Sequence, residues 1–331
     1  MANTITIEDI QAAAARIDAH RTPVLTSTAI NTIASENSGS PMELFFKCEL
    51  LQKTGSFKIR GATNAVQLLT DADASKGVVT HSSGNHAQAL ACAARMRGIP
   101  AYVVMPNNSP QVKKAAVKGY GATVIECEAT QEEREKTAKK VQEETGATFI
   151  HPFNNPHVIA GQGTISLELL AQEQQLDALV IPVGGGGMLS GNTIATKALS
   201  PQTFVFAAEP LEVNDTYRSY TTKGRVANTV GARSVADGLL TNLGEIAFSV
   251  VIKNVDGVFV VTEREIIQAM ELIWGRMKLC IEPSAAVGVA VVLYNKEFHA
   301  RVKKEQIRKI GVILCGGNVD LVTAASLFEQ I

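Results

Sequence analysis

The sequence predicts an α/β fold in which mainly parallel sheets are covered by helices. Short runs of apolar and β-branched residues alternate along the chain with longer amphipathic patterns of helical period. The short runs are apolar at nearly every position, which is typical of strands buried on both faces. Together, continuous apolar strands and the helices between them indicate parallel sheets with helices on both sides.

The elements follow in order after an expected first helix, which starts at Thr6, ahead of Glu8 and Asp9, and runs toward His20. Strand candidates are 44–49, 77–80, 101–105, 122–125, 178–183, 203–208 and 310–314. Helix candidates are 85–97, 109–118, 130–145, 158–172, 189–199 and 263–278. The run 77–154 holds a compact β-α-β-α-β-α set, which is consistent with a small domain inserted into a larger one.

Composition narrows the class of protein. The chain has 331 residues, 46% hydrophobic and 19% charged, which suffices for one large or two modest domains. The net charge is −1 without a basic block, so we expect no nucleic-acid partner. Five scattered cysteines without CxxC spacing argue for a reducing compartment and against a zinc site. No signal-peptide pattern is evident, and the longest uncharged apolar stretch, 285–294, is too short to span a bilayer. We expect a cytoplasmic protein with no membrane partner.

A lysine between two apolar residues is the first candidate for chemistry. Lys58 follows an apolar strand-like run and opens a helix-like one, with Phe57 and Ile59 on either side. Burial there would lower the pKa of the amine and make it a nucleophile toward a carbonyl. Most lysines are solvated surface residues, so the inference depends on other segments. These are His81-Ser82-Ser83-Gly84-Asn85-His86, Gly184-Gly185-Gly186-Gly187 and Leu314-Cys315-Gly316-Gly317-Asn318.

The four consecutive glycines, 184–187, follow a buried strand and precede a helix. Glycine lets backbone N–H groups converge on an anion, and the helix N-terminus adds its dipole, so phosphate is the natural guest. A dinucleotide site is the rival interpretation, because Glu209 ends the next strand where a ribose-binding acid would lie. The spacing argues against it, since the third glycine of G-x-G-x-x-G would fall on Leu189 or Ser190. A purely structural glycine turn is the other alternative.

These four segments, in this order, resemble the fold-type II family of pyridoxal-phosphate (PLP) enzymes, and within it the branch of serine racemases and serine/threonine dehydratases. The resemblance runs from Thr22-Pro23-Val24-Leu25 to Gly316-Gly317-Asn318-Val319-Asp320. It implies a fold like that of the tryptophan synthase β subunit, with two domains of mainly parallel sheet. The large PLP-binding domain would comprise 1–76 and 155–331 and the small domain 77–154. The active site would lie in the cleft between them, where closure gates the chemistry.

The resemblance also implies the cofactor contacts. Lys58 would form the imine with PLP, Asn85 would hydrogen-bond the ring hydroxyl, and Cys315 would face the pyridine nitrogen. The phosphate would be bound by Gly184, Gly185, Gly186 and Gly187, with Gly238 nearby. Many relatives have serine in place of Cys315, and a thiol is the weaker hydrogen-bond partner, so the ring would be a moderate electron sink. A small buried apolar residue at a strand end is the alternative role of Cys315.

Racemisation requires an acid/base group on each face of the substrate Cα. Lys58 can serve one face, and the resemblance implies Ser83 for the other, where many dehydratases have alanine. A helix N-cap is the alternative role of Ser83. The substrate contacts implied by the resemblance are Ser82, Ser83, Asn85 and His86 in the carboxylate-binding loop, together with Arg134 and Thr241. For Arg134, a solvated partner of nearby acids on the same helix is an equally compatible role.

Two further sites come from the resemblance. Glu209 and Asp215, with the carbonyl of Val213, would bind a divalent cation such as Mg²⁺, Ca²⁺ or Mn²⁺, and two carboxylates with a carbonyl suit such an ion. ATP would bind as an activator at the interface of a homodimer, although the sequence has no P-loop pattern. Its candidate contacts are Ser27, Thr28, Lys53, Thr54, Gln88, Tyr120, Lys278 and Asn318.

The activity implied is the interconversion of L-serine and D-serine. The side activity would be L-serine and L-threonine dehydration to pyruvate or 2-oxobutanoate plus ammonia. The first alternative is a threonine/serine or 3-hydroxyaspartate ammonia-lyase without significant racemase activity. A second is a non-catalytic ligand-sensing module on the same fold, against which the presence of Lys58 argues. A nicotinamide enzyme is the third, and the glycine spacing disfavours it.

Overall fold

The computed structural model describes residues 5–331 and contains two sheets with helices packed around them. Residues 1–4, the start of the predicted large domain, lie outside the described part. The strands are β1 Val24–Leu25, β2 Glu43–Cys48, β3 Val78–His81, β4 Ala101–Pro106, β5 Thr123–Cys127, β6 Thr148–Phe149, β7 Ala178–Pro182, β8 Phe204–Pro210, β9 Gly257–Val261 and β10 Lys309–Leu314.

The helices of the described residues are α1 Ile7–Arg16, α2 Thr28–Ser38, α3 Lys58–Gln67, α4 Asp71–Ala74, α5 Asn85–Arg97, α6 Gln111–Gly119, α7 Gln131–Thr145, α8 Pro156–Gln172, α9 Gly187–Leu199, α10 Asp215–Thr222, α11 Glu245–Asn254, α12 Glu263–Met277, α13 Pro283–Tyr294, α14 Lys296–Glu305 and α15 Leu321–Phe328. Short 3₁₀ turns lie at Glu49–Leu51, Leu211–Val213 and Asp237–Leu239. None of these helices, all within 5–331, has the length and apolar content needed to cross a membrane.

The larger sheet has six strands in the order β1-β2-β10-β7-β8-β9. Every pairing in it is parallel except that of β1 with β2. The smaller sheet has four strands, all parallel, in the order β5-β4-β3-β6. The predicted α/β class with mainly parallel sheets is therefore confirmed.

The core explains why the strands are apolar at nearly every position. The main cluster of buried side chains lies on both faces of the six-stranded sheet and includes most of α13. This helix is apolar around its whole circumference and is buried against β7, β8, β9 and β10. The uncharged apolar stretch 285–294 is thus part of a buried core helix, as its length indicates.

The predicted strands and helices appear at nearly the predicted places, and apart from α1 their ends are shifted by at most two residues. Helix α1 begins after Thr6, whose side chain forms a reciprocal capping box with Asp9, but it ends at Arg16 rather than near His20. Strand β9 was not predicted. It lies beside β8 at the edge of the larger sheet.

Helix α3 lies where the two cores meet, and it carries Lys58 at its first position. Its apolar face joins the core of the smaller sheet through Ile59, Ala62 and Val66. On another side its backbone touches α8, because a Cβ on Gly161 would lie 2.6 Å from the Cα of Gly61. This packing fixes the height and direction of the lysine relative to both sheets.

Candidate active site

The Lys58 amine lies in a desolvated position at the start of α3. Its Nζ donates to the carbonyl oxygen of Pro152 at 3.1 Å and lies 5.1 Å from the centroid of the Phe57 ring. Burial lowers the pKa of this amine to about 8, and the nearby Cys315 and Glu282 only partly oppose that shift. A substantial fraction of the amine is therefore neutral near physiological pH and able to attack an aldehyde. This position is compatible with imine formation by Lys58, and that role stays a prediction.

The glycine run forms the turn from β7 into α9. Gly186 is the N-cap with φ +82°, a left-handed conformation, and no side chain caps the helix. A Cβ on Gly185 would lie 2.3 Å from the ring of Phe153, and one on Gly184 would lie 2.8 Å from the Cα of Leu239. The first N–H groups of α9 thus have no capping side chain, and the turn that leads into the helix consists of glycines, which have no side chains of their own. This cradle fits a phosphate group.

Cys315 follows β10 and is 2% exposed. Burial, followed by the neighbouring Glu282, raises the pKa of its thiol well above the usual value, so the thiol stays protonated. Its carbonyl accepts from the N–H of Phe57, which ties the residue to the turn before Lys58. Gly238 lies on the 3₁₀ turn Asp237–Leu239, and its N–H donates to Ser284 Oγ at 3.0 Å. Cys315 thus lies in the same desolvated region as the lysine, since each group affects the pKa of the other.

Glu282 is a buried carboxyl near Lys58 and Cys315, and it was not identified from the sequence. It accepts from Asn85 Nδ2 at 2.9 and 3.1 Å and from the N–H of Asn318 at 3.1 Å. Burial raises the pKa of this carboxyl to about 7. The predicted ring contact Asn85 is therefore held by two partners, since its Oδ1 accepts from Asn318 Nδ2 at 2.8 Å. No local signal marks Glu282, because Asn85 is 197 positions away in the chain.

The loop between β3 and α5 carries the predicted substrate residues. Gly84 is the N-cap of α5, and no side chain caps this helix. Ser83 is therefore not an N-cap, and this alternative role is wrong. Ser82 Oγ accepts only from the N–H of Gly84 at 3.3 Å among the described residues. The start of α5 thus offers uncapped N–H groups and two hydroxyls to an anion such as a carboxylate.

His86 lies at the floor of this loop and is 2% exposed. Its Nε2 is 3.2 Å from the carbonyl oxygen of Ile150, so Nε2 carries the proton. Its Nδ1 is buried without a partner in the described part of the chain. Burial lowers the pKa of this ring to about 3, so it is neutral and presents an acceptor.

Arg134 and Thr241, two predicted substrate contacts, differ in their exposure to solvent. Arg134 lies in the first turns of α7, half-buried, with its Nε enclosed and lacking a partner among residues 5–331. Its charge acts on His81, at the end of β3. Its role as a substrate contact and its alternative role as a solvated partner of acids on the same helix both stay predictions. Thr241 is exposed in the loop after the 3₁₀ turn Asp237–Leu239, and its role stays a prediction.

The predicted metal residues lie together at the end of β8. Glu209 and Asp215 are both fully buried, and Val213 is 1% exposed on the intervening turn. Burial and then Asp215 raise the pKa of Glu209 to about 8, and burial raises the pKa of Asp215. Neither carboxylate forms an ion pair within residues 5–331. Two adjacent buried acids without a cationic partner fit a divalent cation.

The cation site is sparse in side-chain ligands. No group of three or more His, Cys, Asp or Glu side chains that could bind a metal occurs in the described part of the chain. Both oxygens of Glu209 accept from backbone N–H groups, of Thr216 at 2.9 Å and Tyr217 at 2.8 Å. A cation here would depend on the two carboxylates, a backbone carbonyl and water.

The structure joins some of the predicted nucleotide contacts. Asn318 Nδ2 donates to the carbonyl of Thr54 at 2.8 Å, and the adjacent Lys53 pairs with Asp18 at 2.7 Å. Ser27 caps α2, and Lys278 is exposed at the end of α12. Thr28 is exposed, while Gln88 and Tyr120 are half-buried. Within residues 5–331, no hydrogen bond or ion pair joins Ser27 or Lys278 to Asn318.

Three comparisons with known proteins bear on this geometry. A serine racemase of Dictyostelium discoideum is 51% identical over 98% of this chain and 98% of its own length. A beta-hydroxyaspartate dehydratase of Paracoccus denitrificans (strain Pd 1222) is 48% identical over 96% of this chain and 97% of its own length. The solved structure of maize serine racemase superposes with a TM-score of 0.92 at 44% identity, over 98% of this chain and 97% of that one.

The family model described as "Pyridoxal-phosphate dependent enzyme" matches residues 17–316. This range includes Lys58, the glycine run and Cys315. The predicted fold-type II architecture is confirmed by the match and by the superposition. The chain therefore belongs to the family of pyridoxal-phosphate-dependent enzymes.

Proposed function

We propose that this enzyme interconverts L-serine and D-serine and, in the same site, dehydrates L-serine and L-threonine to the keto acid and ammonia. The proposal is supported by the similarity to serine racemases along nearly the whole chain. The observation that carries it is the combination of a desolvated Lys58 with Ser83, a hydroxyl residue that does not cap the adjacent helix.

PLP, when bound, withdraws electrons from the substrate Cα and so makes its proton removable. Lys58 would bind the cofactor and, once displaced by the substrate, act as acid/base on one face. A pKa of about 8 suits this work, because a proton carrier is most effective near the working pH. Ser83 would return or remove the proton on the other face.

Substrate orientation would come from the start of α5. Its uncapped N–H groups and the hydroxyls of Ser82 and Ser83 would hold the substrate carboxylate. His86, neutral and with an unpartnered Nδ1, offers an acceptor at the floor of the loop. Arg134 and Thr241 would reach the substrate side chain when the cleft between the proposed domains, 77–154 and the rest of the chain, closes.

A hydroxyaspartate dehydratase is the second candidate function. It is supported by the relative from Paracoccus denitrificans, which is as similar to this chain as several serine racemases are. The half-buried Arg134, with its enclosed and unpartnered Nε, offers a positive charge for a second substrate carboxylate. The two candidates share every cofactor contact and differ in the substrate side chain and in whether a D-amino acid is formed.

We further propose a divalent cation at Glu209, Asp215 and the Val213 carbonyl, with Mg²⁺, Ca²⁺ or Mn²⁺ as its identity. The two buried, unpaired carboxyl groups with raised pKa values support it. A cation would hold the end of β8 to α10 and thereby the turn that leads toward Gly238.

We also propose, from the family resemblance, a homodimer that binds ATP as an activator at its interface. The Lys53–Thr54–Asn318 grouping supports a nucleotide contact, since Asn318 also bonds to Asn85 in the active site. A cytoplasmic location is proposed because all five cysteines are free.

Ser83→Ala tests the proposed two-base mechanism. It should reduce D-serine formation from L-serine by about 100-fold or more, because one proton carrier is lost. Pyruvate formation should persist, since elimination needs only the Lys58 face. Chiral chromatography and keto-acid assay of one reaction mixture measure both products.

Lys58→Ala is the control for this experiment and should abolish both products. Equal loss of both products in Ser83→Ala would contradict the two-base assignment. Parallel incubations with L-serine, L-threonine and 3-hydroxyaspartate decide between the two candidate functions. Exclusive turnover of hydroxyaspartate without D-amino acid formation would favour the dehydratase.

A further inference from the structure

The turn 150–154 connects the smaller sheet to the larger one and contacts the active site from two sides. It runs from the end of β6 to the start of α8. The carbonyl of Pro152 accepts from Lys58 Nζ at 3.1 Å. The carbonyl of Ile150 lies 3.2 Å from Nε2 of His86, beneath the substrate loop, and accepts from Thr80 Oγ1 at 2.9 Å.

The same turn supports the glycine run. The ring of Phe153 lies against Gly185 so closely that a Cβ there would be 2.3 Å from the Cγ of Phe153. The backbone of Phe153 also lies close to Gly187, where a Cβ would be 3.0 Å from its carbonyl oxygen. Asn154 Oδ1 accepts from the N–H of Ile246 at 3.1 Å and so ties the turn to α11. Lys58 and the glycine run of the proposed phosphate cradle therefore both contact the same short turn, 150–154.

His151 closes this turn on itself. Its Nδ1 accepts from the N–H of Asn154 at 2.9 Å and from the N–H of Phe153 at 3.3 Å. A nitrogen that accepts two hydrogen bonds carries no proton, so the ring is the Nε2–H tautomer. The ring also packs edge-on against Phe153, with centroids 4.6 Å apart and an interplanar angle of 89°. Burial, His81 and Lys58 lower the pKa of His151 to about 4, so the acceptor persists at neutral pH.

We propose that His151 is a positioning residue for the cofactor. Its Nδ1 holds the turn 151–154 in the one shape that sets the Pro152 carbonyl against Lys58 and the Phe153 ring against the glycine run. The separation between the covalent attachment point and the phosphate cradle is thereby fixed before PLP arrives. The inference rests on the family assignment and is independent of the proposed substrate.

The test compares His151→Asn with His151→Gln. The Asn side chain can place Oδ1 where Nδ1 lies and so keeps an acceptor for the two N–H groups. The Gln side chain reaches toward Nε2 instead and leaves them without one. The dissociation constant of PLP for the cofactor-free protein is measured by absorbance titration. A second titration with inorganic phosphate as competitor reports on the cradle without the covalent step.

The PLP affinity of His151→Asn should lie within about threefold of that of the unaltered protein. His151→Gln should bind both PLP and inorganic phosphate about tenfold or more weakly, as loss of two hydrogen bonds implies. Equal affinities in all three proteins would overturn the proposal. So would a variant that loses kcat while it keeps its affinity for PLP, because His151 would then act on the substrate.

If His151→Gln does not fold, a second measurement on the unaltered protein still tests the proposal. Nitrogen-15 NMR of the histidines in the unaltered protein should show Nδ1 of His151 unprotonated and Nε2 protonated at pH 7. The reverse tautomer, or an imidazolium at that pH, would contradict the proposal without any substitution.

Discussion

At the scale of single residues, the site contains ionisable groups whose protonation is set by burial. Lys58 is partly neutral, Glu282 is partly protonated, and the thiol of Cys315 keeps its proton. All three shifts have burial as their largest cause, and all three residues border the region assigned to the pyridine ring. Such clustering of shifted pKa values is typical of an active site.

Glu282 allows a test of this desolvation through stability. Its pKa rises from about 4.5 unfolded to about 7 folded, so the folded protein binds the extra proton between these values. The Glu282 contribution to the free energy of unfolding should therefore fall as pH rises from about 5 to 7, by up to about 3 kcal/mol. Glu282→Gln should remove this slope, measured by urea unfolding of the cofactor-free protein across that range.

Glu36→Gln is the matched control, because it makes the same change at an exposed position on α2. The pH slope of this variant should equal that of the unaltered protein. The informative quantity is the pH slope of the free energy of unfolding and not its absolute value. Glu282→Gln also loses one hydrogen-bond acceptor for Asn85 or Asn318, and this loss is the same at every pH. An unchanged slope in Glu282→Gln would mean that this carboxyl is hydrated.

The residues that the sequence did not identify share a physical reason. Lys58 and the glycine run have local signatures, since an apolar flank or a strand–glycine–helix pattern is visible in a few residues, whereas Ser83 was assigned from the family resemblance. Glu282 and His151 have none. Their roles arise from contacts with Asn85, 197 positions away, and from the shape of a turn. Such roles become visible only in the folded chain.

At the scale of elements, the helix that carries the lysine is anchored by a buried ionic cluster. Arg60 is fully buried and binds Glu49 through Nε and Nη2, each at 2.8 Å. It also binds Glu168 of α8 through Nη1 at 2.7 Å and Nη2 at 2.8 Å. Lys47 completes the cluster by donating to Glu168 at 2.7 Å. Two positive and two negative charges thus join α3, β2, the turn after it and α8.

Arg60→Met should destabilise the protein by about 3–5 kcal/mol, because it leaves two carboxylates buried with a single cation. Urea unfolding monitored by circular dichroism measures the loss. Arg95→Met on the exposed face of α5 is the control and should change the free energy of unfolding by less than about 0.5 kcal/mol. A loss of similar size in both variants would show that the cluster contributes no more than a surface arginine.

Element positions were largely predictable and element ends were not. The strands of the larger sheet are apolar throughout, and their alternation with helices survives in the structure. Helix α1 stops at Arg16, and Ile17 already has extended backbone, although the sequence pattern continues. The N–H of His20 is held by Gln52 at 2.9 Å. A tertiary contact of this kind overrides local preference and has no local signal.

At the scale of the whole molecule, several polar contacts join the proposed small domain, 77–154, to the rest of the chain. Lys113 of α6 pairs with Asp237 at 3.0 Å, and Asn85 of α5 binds Glu282. Both contacts lie beside Gly238, which follows Asp237 in the chain and lies near Glu282. The division into a domain 77–154 and a remainder stays a prediction. Closure of the cleft between these two domains would change the distances in both contacts.

The proposed cation site gives a test at this scale, because it would stabilise the larger sheet as a unit. Mg²⁺ or Ca²⁺ should raise the melting temperature of the protein, and Glu209→Gln should abolish the increase. Glu212→Gln, an exposed acid on the same turn, is the control and should keep it. Differential scanning fluorimetry with and without chelator measures the effect. A full cation response in Glu209→Gln would place the ion elsewhere.

The most direct test concerns the covalent attachment of the cofactor. Active enzyme is reduced with borohydride, digested, and its peptides are examined by mass spectrometry. We predict the added mass of reduced pyridoxal phosphate on the peptide that contains Lys58, at near-stoichiometric yield, and its absence from Lys58→Ala. An unmodified Lys58 in fully active enzyme would contradict the assignment of this amine and of the pocket built around it.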